Sequence, residues 1–92
     1  MPDESPLLLD QLKQVLGKRL GSARGDAGLS LDDLAERTGL DRTTIHRIEQ
    51  GDATAKLDTL VFLFHALRID PAPIMRELVD LVHTRRDPGR RP

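Results

Sequence analysis

Four side chains that can donate hydrogen bonds stand close together in the chain, at Arg42, Thr43, His46 and Arg47. Ile45 and Ile48 are interleaved with them at a spacing of three, which predicts one buried helix face and leaves the donors on the other side. An arginine can donate to O6 and N7 of guanine together, and the remaining donors can reach bases or phosphates. The pattern therefore favours recognition by hydrogen bonding, with Arg47 also able to read a base, hold a phosphate or brace an acid.

Two short helices are predicted to position these donors. The segment Ser30-Leu31-Asp32-Asp33 has the form of a capping box, with Asp33 in place of the usual Glu or Gln, and Gly39 suits the left-handed residue that ends a helix. Asp41 then precedes a second short helix from Arg42 to Gln50. Two capped helices joined by a glycine turn are typical of a helix-turn-helix, although an ordinary helical hairpin has the same features.

Three further helices are predicted from apolar residues at spacings of three and four. The first runs from Ser5-Pro6 to about Arg24. Its glycines at 17, 21 and 25 either allow another helix to pack closely or weaken this helix. Another places Leu57, Leu60, Val61, Phe64 and Leu67 inward. The last spans residues 71–83. The sequence thus predicts an all-α, five-helix domain over residues 6–83, with a disordered N-terminus at 1–5 and a disordered basic tail at 84–92.

The segment from Leu29 to Gly51, LSLDDLAERTGLDRTTIHRIEQG, resembles the Cro- and phage-repressor-like (Xre-type) helix-turn-helix family. The resemblance extends from about Gly17 to Ile74. It implies a five-helix, lambda-repressor-like domain whose third helix enters the major groove of double-stranded DNA, usually as a homodimer on a palindrome. It also implies a structural pair between Arg24 and Glu49. The family pattern falls on Leu34, Ala35, Gly39, Leu40, Ile45, Ile48, Glu49 and Gly51.

Four positions depart from the family pattern. Leu31 replaces a glutamine that often touches phosphate, and Ala55 replaces a proline. Phe64 replaces an alanine and Arg68 replaces a glycine, which predicts altered packing within the same fold.

Contacts to DNA and to a second copy are expected at specific residues. The base-reading residues are predicted to be Arg42, Thr43, His46 and Arg47, and the phosphate contacts Lys18, Arg19, Ser30 and Thr44. A solvated helix face is the alternative for Lys18 and Arg19. The homodimer contact is predicted at Ile74, Leu78 and Val82, and packing of this stripe on its own domain is the alternative.

Composition excludes several other classes of function. There is no cysteine, and His46, His65 and His83 are far apart, so no metal site is expected. No catalytic motif or glycine-rich phosphate loop is present, so we expect neither an enzyme nor a cofactor. No apolar run is long enough for a membrane span, which indicates a cytoplasmic protein. The net charge of −1 confines any DNA contact to a local surface.

Two questions stay open at this level. A protein–protein interaction module that keeps the fold but has lost strong DNA binding is the alternative function. Among regulators, a phage-type repressor, an antitoxin-type autoregulator and a restriction-modification controller share these features.

Overall fold

The computed structural model describes residues 6–86, which form five α-helices and no strand. The expected all-α, five-helix architecture is confirmed. The helices are α1 (Pro6–Asp26), α2 (Leu31–Thr38), α3 (Arg42–Glu49), α4 (Leu57–Leu67) and α5 (Ala72–Arg86).

One apolar core joins all five helices. Its most buried side chains are Leu20, Leu34, Ile45, Ile48 and Leu63, and Leu16, Leu67 and Ile74 complete the cluster. Fully burying a side chain of this size stabilises a domain by about 1.5–3 kcal/mol. Because α2 and α3 contribute Leu34, Ile45 and Ile48 to this core, the two short helices are held by the body of the domain.

The inward face of α4 differs from the predicted one. Leu57 and Val61 were expected to be buried but are 78% and 54% exposed, whereas Leu63 is buried. Its observed inward stripe is Leu60, Leu63, Phe64 and Leu67. Since apolar residues occupy nearly every side of this helix, its periodicity does not identify the buried face.

Helices α1 and α3 come into unusually close contact at Gly17. A Cβ atom at this position would lie 2.7 Å from the Glu49 carbonyl oxygen and closer still to that of Ile48. A Cβ at Gly21 would meet the Glu49 carboxylate at 3.3 Å, while one at Gly25 would meet nothing. Close packing is therefore the explanation for Gly17 and Gly21 and not for Gly25.

Helix α5 lies against α1 and extends past its predicted end. Thr84, Arg85 and Arg86 are helical and do not belong to a disordered tail, and Arg85 donates a hydrogen bond to Oε1 of Gln11 in α1. The pairing with α1 explains why the helix continues beyond its apolar stripe. Residues 1–5 and 87–92, with Arg90 and Arg91 of the predicted tail, lie outside the described residues.

Candidate nucleic-acid interface

The N-terminus of α2 is closed by the predicted capping box. The Asp33 amide donates to Ser30 Oγ at 3.0 Å, and the Ser30 amide donates to Asp33 Oδ2 at 2.9 Å. The bond from the Ser30 backbone lowers the pKa of the Asp33 carboxyl below its usual range. Both side chains therefore hold the start of α2, and Ser30 itself is exposed to solvent.

A tight turn connects α2 to α3. Gly39 takes the left-handed conformation with φ of 74°, as the sequence predicted. Thr38 fastens the turn from both sides, since its Oγ1 donates to the Leu34 carbonyl at 2.8 Å and accepts from the Leu40 amide at 3.1 Å. These bonds therefore order the turn between the two helices, which the core holds together.

Helix α3 presents a polar face to solvent. Ile45 and Ile48 are each 1% exposed and point into the core, while Arg42, Thr43, His46 and Arg47 are all exposed. Thr44, a predicted phosphate contact, is exposed as well. Asp41 occupies the N-cap position but makes no side-chain bond to the helix. The structure thus brings all four predicted base readers to the accessible part of one short helix.

The C-terminal end of α3 is anchored by a two-point ion pair. Arg24 Nε and Nη2 donate to the two Glu49 carboxylate oxygens at 2.8 and 2.9 Å, and Arg24 Nη1 donates to the Leu29 carbonyl at 2.8 Å. The bond to Glu49 raises the pKa of Arg24, although burial opposes this shift. The pair implied by the family resemblance is present, and its position between α1 and α3 makes it part of the scaffold.

The two predicted phosphate contacts on α1 have different surroundings. Lys18 is exposed and lines a small cleft with Gln14, Glu49 and Gln50 at the end of α3. Arg19 instead donates two hydrogen bonds to Glu77 of α5, at 2.8 and 2.9 Å. This bond lowers the pKa of Glu77 and raises that of Arg19. The prediction for Arg19 is corrected accordingly, because its guanidinium links α1 to α5.

The ion pair between Arg42 and Asp32 was not predicted from the sequence. Arg42 Nε lies 2.9 Å from Asp32 Oδ1 in the first turn of α2. The available signal was the opposite charge of two residues that begin successive helices of a helix-turn-helix.

The predicted dimer residues also require correction. Ile74 is buried in the core of its own domain, and Leu78 is partly buried against that core. The exposed apolar residues of α5 are Met75 and Val79. Val79 and the half-buried Val82 line an open cleft of about 290 Å³. Leu9, Leu12, Leu16, Thr54, Ala55 and Leu78 are among its other lining residues.

The described part of the chain contains neither a metal-binding cluster nor a membrane-crossing helix. Between residues 6 and 86, no group of three or more His, Asp or Glu side chains could hold a metal ion. In the same range, no helix combines the length and the apolar character that crossing a bilayer requires.

Comparison with known proteins agrees with this geometry. The family model described as a helix-turn-helix domain matches residues 15–79. The control protein C.SmaI from Serratia marcescens is 37% identical over 67 residues, which are 73% of this chain and 79% of that protein.

Solved structures align with the same part of the chain. Two crystal structures of the clp gene regulator ClgR from Corynebacterium glutamicum have a TM-score of 0.68 and 29% identity. They cover 74% of this chain and 72% or 87% of the compared chain. A mutant of the restriction-modification controller protein C.Esp1396I shares the fold at a TM-score of 0.65 and 22% identity, covering 77% of this chain and 90% of that one.

Proposed function

This chain belongs to the Xre-type helix-turn-helix family, and on that premise we propose that it is a transcription regulator that binds duplex DNA sequence-specifically as a homodimer. The observation that carries the proposal is the accessible polar face of α3, a helix whose opposite face is buried through Ile45 and Ile48. The major groove of B-DNA admits one α-helix, and donors on its face read base edges there.

The individual contacts follow from positions on α3. Arg42 begins the helix, where side chains of a recognition helix contact base edges, so it is the proposed reader of a guanine. Thr43 offers a methyl group to thymine or a hydroxyl to phosphate, and His46 lies one turn beyond Arg42. Lys18, Ser30 and Thr44 are exposed and are the proposed phosphate contacts.

The homodimer is supported by apolar surface that the monomer leaves uncovered. Leu9, Met75 and Val79 are between 42% and 50% exposed, and Leu9 and Val79 line the cleft between α1 and α5. A second copy that covers this cleft would give the pair a two-fold axis, and the matching operator would be a palindrome. Half-sites would then lie about 34 Å apart, one helical turn of DNA.

The role in regulation is supported by relatives. C.SmaI is named a control protein and ClgR a gene regulator, and both are similar to this chain over about three quarters of its length. We therefore propose regulation of transcription as the output of DNA binding.

The test begins with selection of a preferred duplex from a random library. Wild type, Arg42→Ala and Lys18→Ala are then titrated against that duplex and a scrambled one over a salt series. Arg42→Ala should cost about 1–3 kcal/mol on the preferred duplex alone, whereas Lys18→Ala should weaken both duplexes alike and reduce the salt slope by about one. Lys18 is chosen over Arg19 to test the phosphate contacts because Arg19 also bonds to Glu77 of α5.

Two outcomes would contradict the proposal. Equal loss on both duplexes would make Arg42 a phosphate contact. Absence of any salt-dependent DNA binding by the wild type would favour an interaction module on the same fold, because phosphate contacts impose a steep salt slope.

A further inference from the structure

Asp32 and Arg42 form an ion pair across the helix-turn-helix. Asp32 lies in the first turn of α2 and Arg42 is the first residue of α3, with 2.9 Å between Oδ1 and Nε. Both side chains are strongly exposed, at 80% and 60%. Exposed pairs of this kind contribute little to folding stability, because water and salt screen them. The consequence of this pair therefore concerns the orientation of Arg42 and not the stability of the fold.

The atoms involved make the orientation specific. Asp32 approaches Nε, so the two terminal nitrogens of the guanidinium remain able to donate. Two parallel bonds to O6 and N7 of guanine require the guanidinium plane to be held in one direction. An arginine without a brace has many rotamers, and ordering it on binding costs conformational entropy.

The backbone that carries this carboxylate is itself held in place. It sits on a helix whose start is fixed by the Ser30–Asp33 capping box and whose end is bonded through Thr38 to Leu40 in the turn before α3. Because both helices also pack on the common core through Leu34, Ile45 and Ile48, the backbone positions of Asp32 and Arg42 are held relative to each other.

We propose that Asp32 is a positioning residue that holds the Arg42 guanidinium for two-point contact with one guanine and thereby sets the base preference at that position. This inference rests on the proposed role of Arg42 as base reader. It assigns to an acid, which taken alone repels DNA, a favourable contribution to binding of the correct sequence.

The negative charge of Asp32 makes the direction of the affinity change diagnostic. Removing an acid near DNA should tighten binding to every duplex through weaker repulsion of phosphates. If Asp32 braces Arg42, its removal should instead weaken binding to the preferred duplex. Glu36 supplies the matched control, since it is an exposed acid one turn further along α2. Asp33 is unsuitable because it caps the helix.

The experiment measures dissociation constants for wild type, Asp32→Ala, Arg42→Ala, the double variant and Glu36→Ala. Each is titrated against the preferred duplex and against the same duplex with the guanine read by Arg42 replaced, and thermal unfolding verifies that each variant is folded. We expect Asp32→Ala to lose about five-fold or more on the preferred duplex and to discriminate less between the two. In the Arg42→Ala background, the same change should cost nothing.

The remaining outcomes distinguish failure of the proposed Asp32 brace from failure of Arg42 as the base reader. If Asp32→Ala tightens both duplexes as Glu36→Ala does, or costs as much without Arg42, the brace is overturned while Arg42 remains the reader. If Arg42→Ala keeps the wild-type preference between the two duplexes, the proposed reader is wrong and the brace is overturned with it.

Discussion

Gly17 of α1 lies directly against the backbone carbonyl group of Ile48 in α3. No side chain separates the two helices at this point, and a Cβ would also stand 2.7 Å from the carbonyl oxygen of Glu49. The Ile48 carbonyl is not free to move, since it accepts from the Gly51 amide at 3.1 Å. The depth at which α3 sits in the domain is therefore determined by the absence of one methyl group on α1.

Replacing Gly17 by alanine should destabilise the domain despite the better helix propensity of alanine. Overpacking a core costs about 1–3 kcal/mol of stability, and a clash with backbone atoms is expected near the upper end of that range. The higher helix propensity of alanine offsets about 1 kcal/mol of this cost. We expect a net loss of about 1–2 kcal/mol in the free energy of unfolding, measured by urea titration.

Gly25 provides the matched control within the same helix. A Cβ there meets nothing within 4 Å, so Gly25→Ala should be neutral or stabilise by about 0.5–1 kcal/mol. Equal effects of the two substitutions would show that helix propensity, and not contact with α3, governs position 17.

Replacing Arg68 by glycine should stabilise the domain. It ends α4 with φ of 56°, the one non-glycine residue at positive φ among residues 6–86. A left-handed conformation costs an L-residue with a Cβ about 1–2 kcal/mol, so Arg68→Gly should raise the free energy of unfolding by about 1 kcal/mol. Arg68→Ala keeps the Cβ and tests loss of the charge alone. A gain as large for alanine as for glycine would rule out relief of backbone strain.

The contact between Glu77 and Arg19 should make stability depend on pH in the acid range. The bond from Arg19 lowers the pKa of Glu77 in the folded state, so the unfolded chain binds the proton more readily. Its contribution is present above the unfolded pKa of about 4.3 and is lost as pH falls through the lower folded value. The stability difference between wild type and Glu77→Gln should therefore shrink as pH decreases below about 4.

Urea titrations of both proteins from pH 7 to pH 3 measure this difference. Asp33 also has a lowered pKa, but it titrates in both proteins and cancels in the comparison. A difference that is constant over this range would show that Glu77 acts on α5 without its charge.

Self-association should depend on the exposed face of α5. Val79→Asp places a charge on a half-exposed residue beside the apolar cleft, so it should shift a dimer to monomers without loss of helix content. Leu78→Asp should instead unfold the domain, since Leu78 packs on the core. Light scattering at tens of micromolar with circular dichroism distinguishes the two, and a wild type that is monomeric at that concentration would contradict the proposed homodimer.

Features encoded within a few residues were predictable from the sequence. The capping box at Ser30 and Asp33 and the left-handed Gly39 each depend on local backbone chemistry, so residue type and spacing suffice. The exposed donors of α3 followed from the interleaved Ile45 and Ile48 in the same way.

Features that depend on packing between distant segments were not predictable. Arg19 finds Glu77 across 58 positions of sequence, and no local pattern distinguishes that partner from solvent or phosphate. The stripe of α5 was assigned to a second copy because periodicity identifies a buried face but not what buries it. The predicted burial of Leu57 and Val61 was wrong for a related reason, since a helix that is apolar on most sides offers several possible buried stripes.

The two bonds of Thr38 have a consequence for the kinetics of binding. Because Oγ1 holds Leu34 and Leu40, the turn is ordered, and core packing of α2 and α3 keeps the two helices in one arrangement before any encounter. Formation of the proposed complex then requires no slow rearrangement of the turn, and association should proceed at similar rates on different duplexes. Discrimination between a correct and an incorrect operator should therefore reside in residence time, with the correct complex dissociating more slowly.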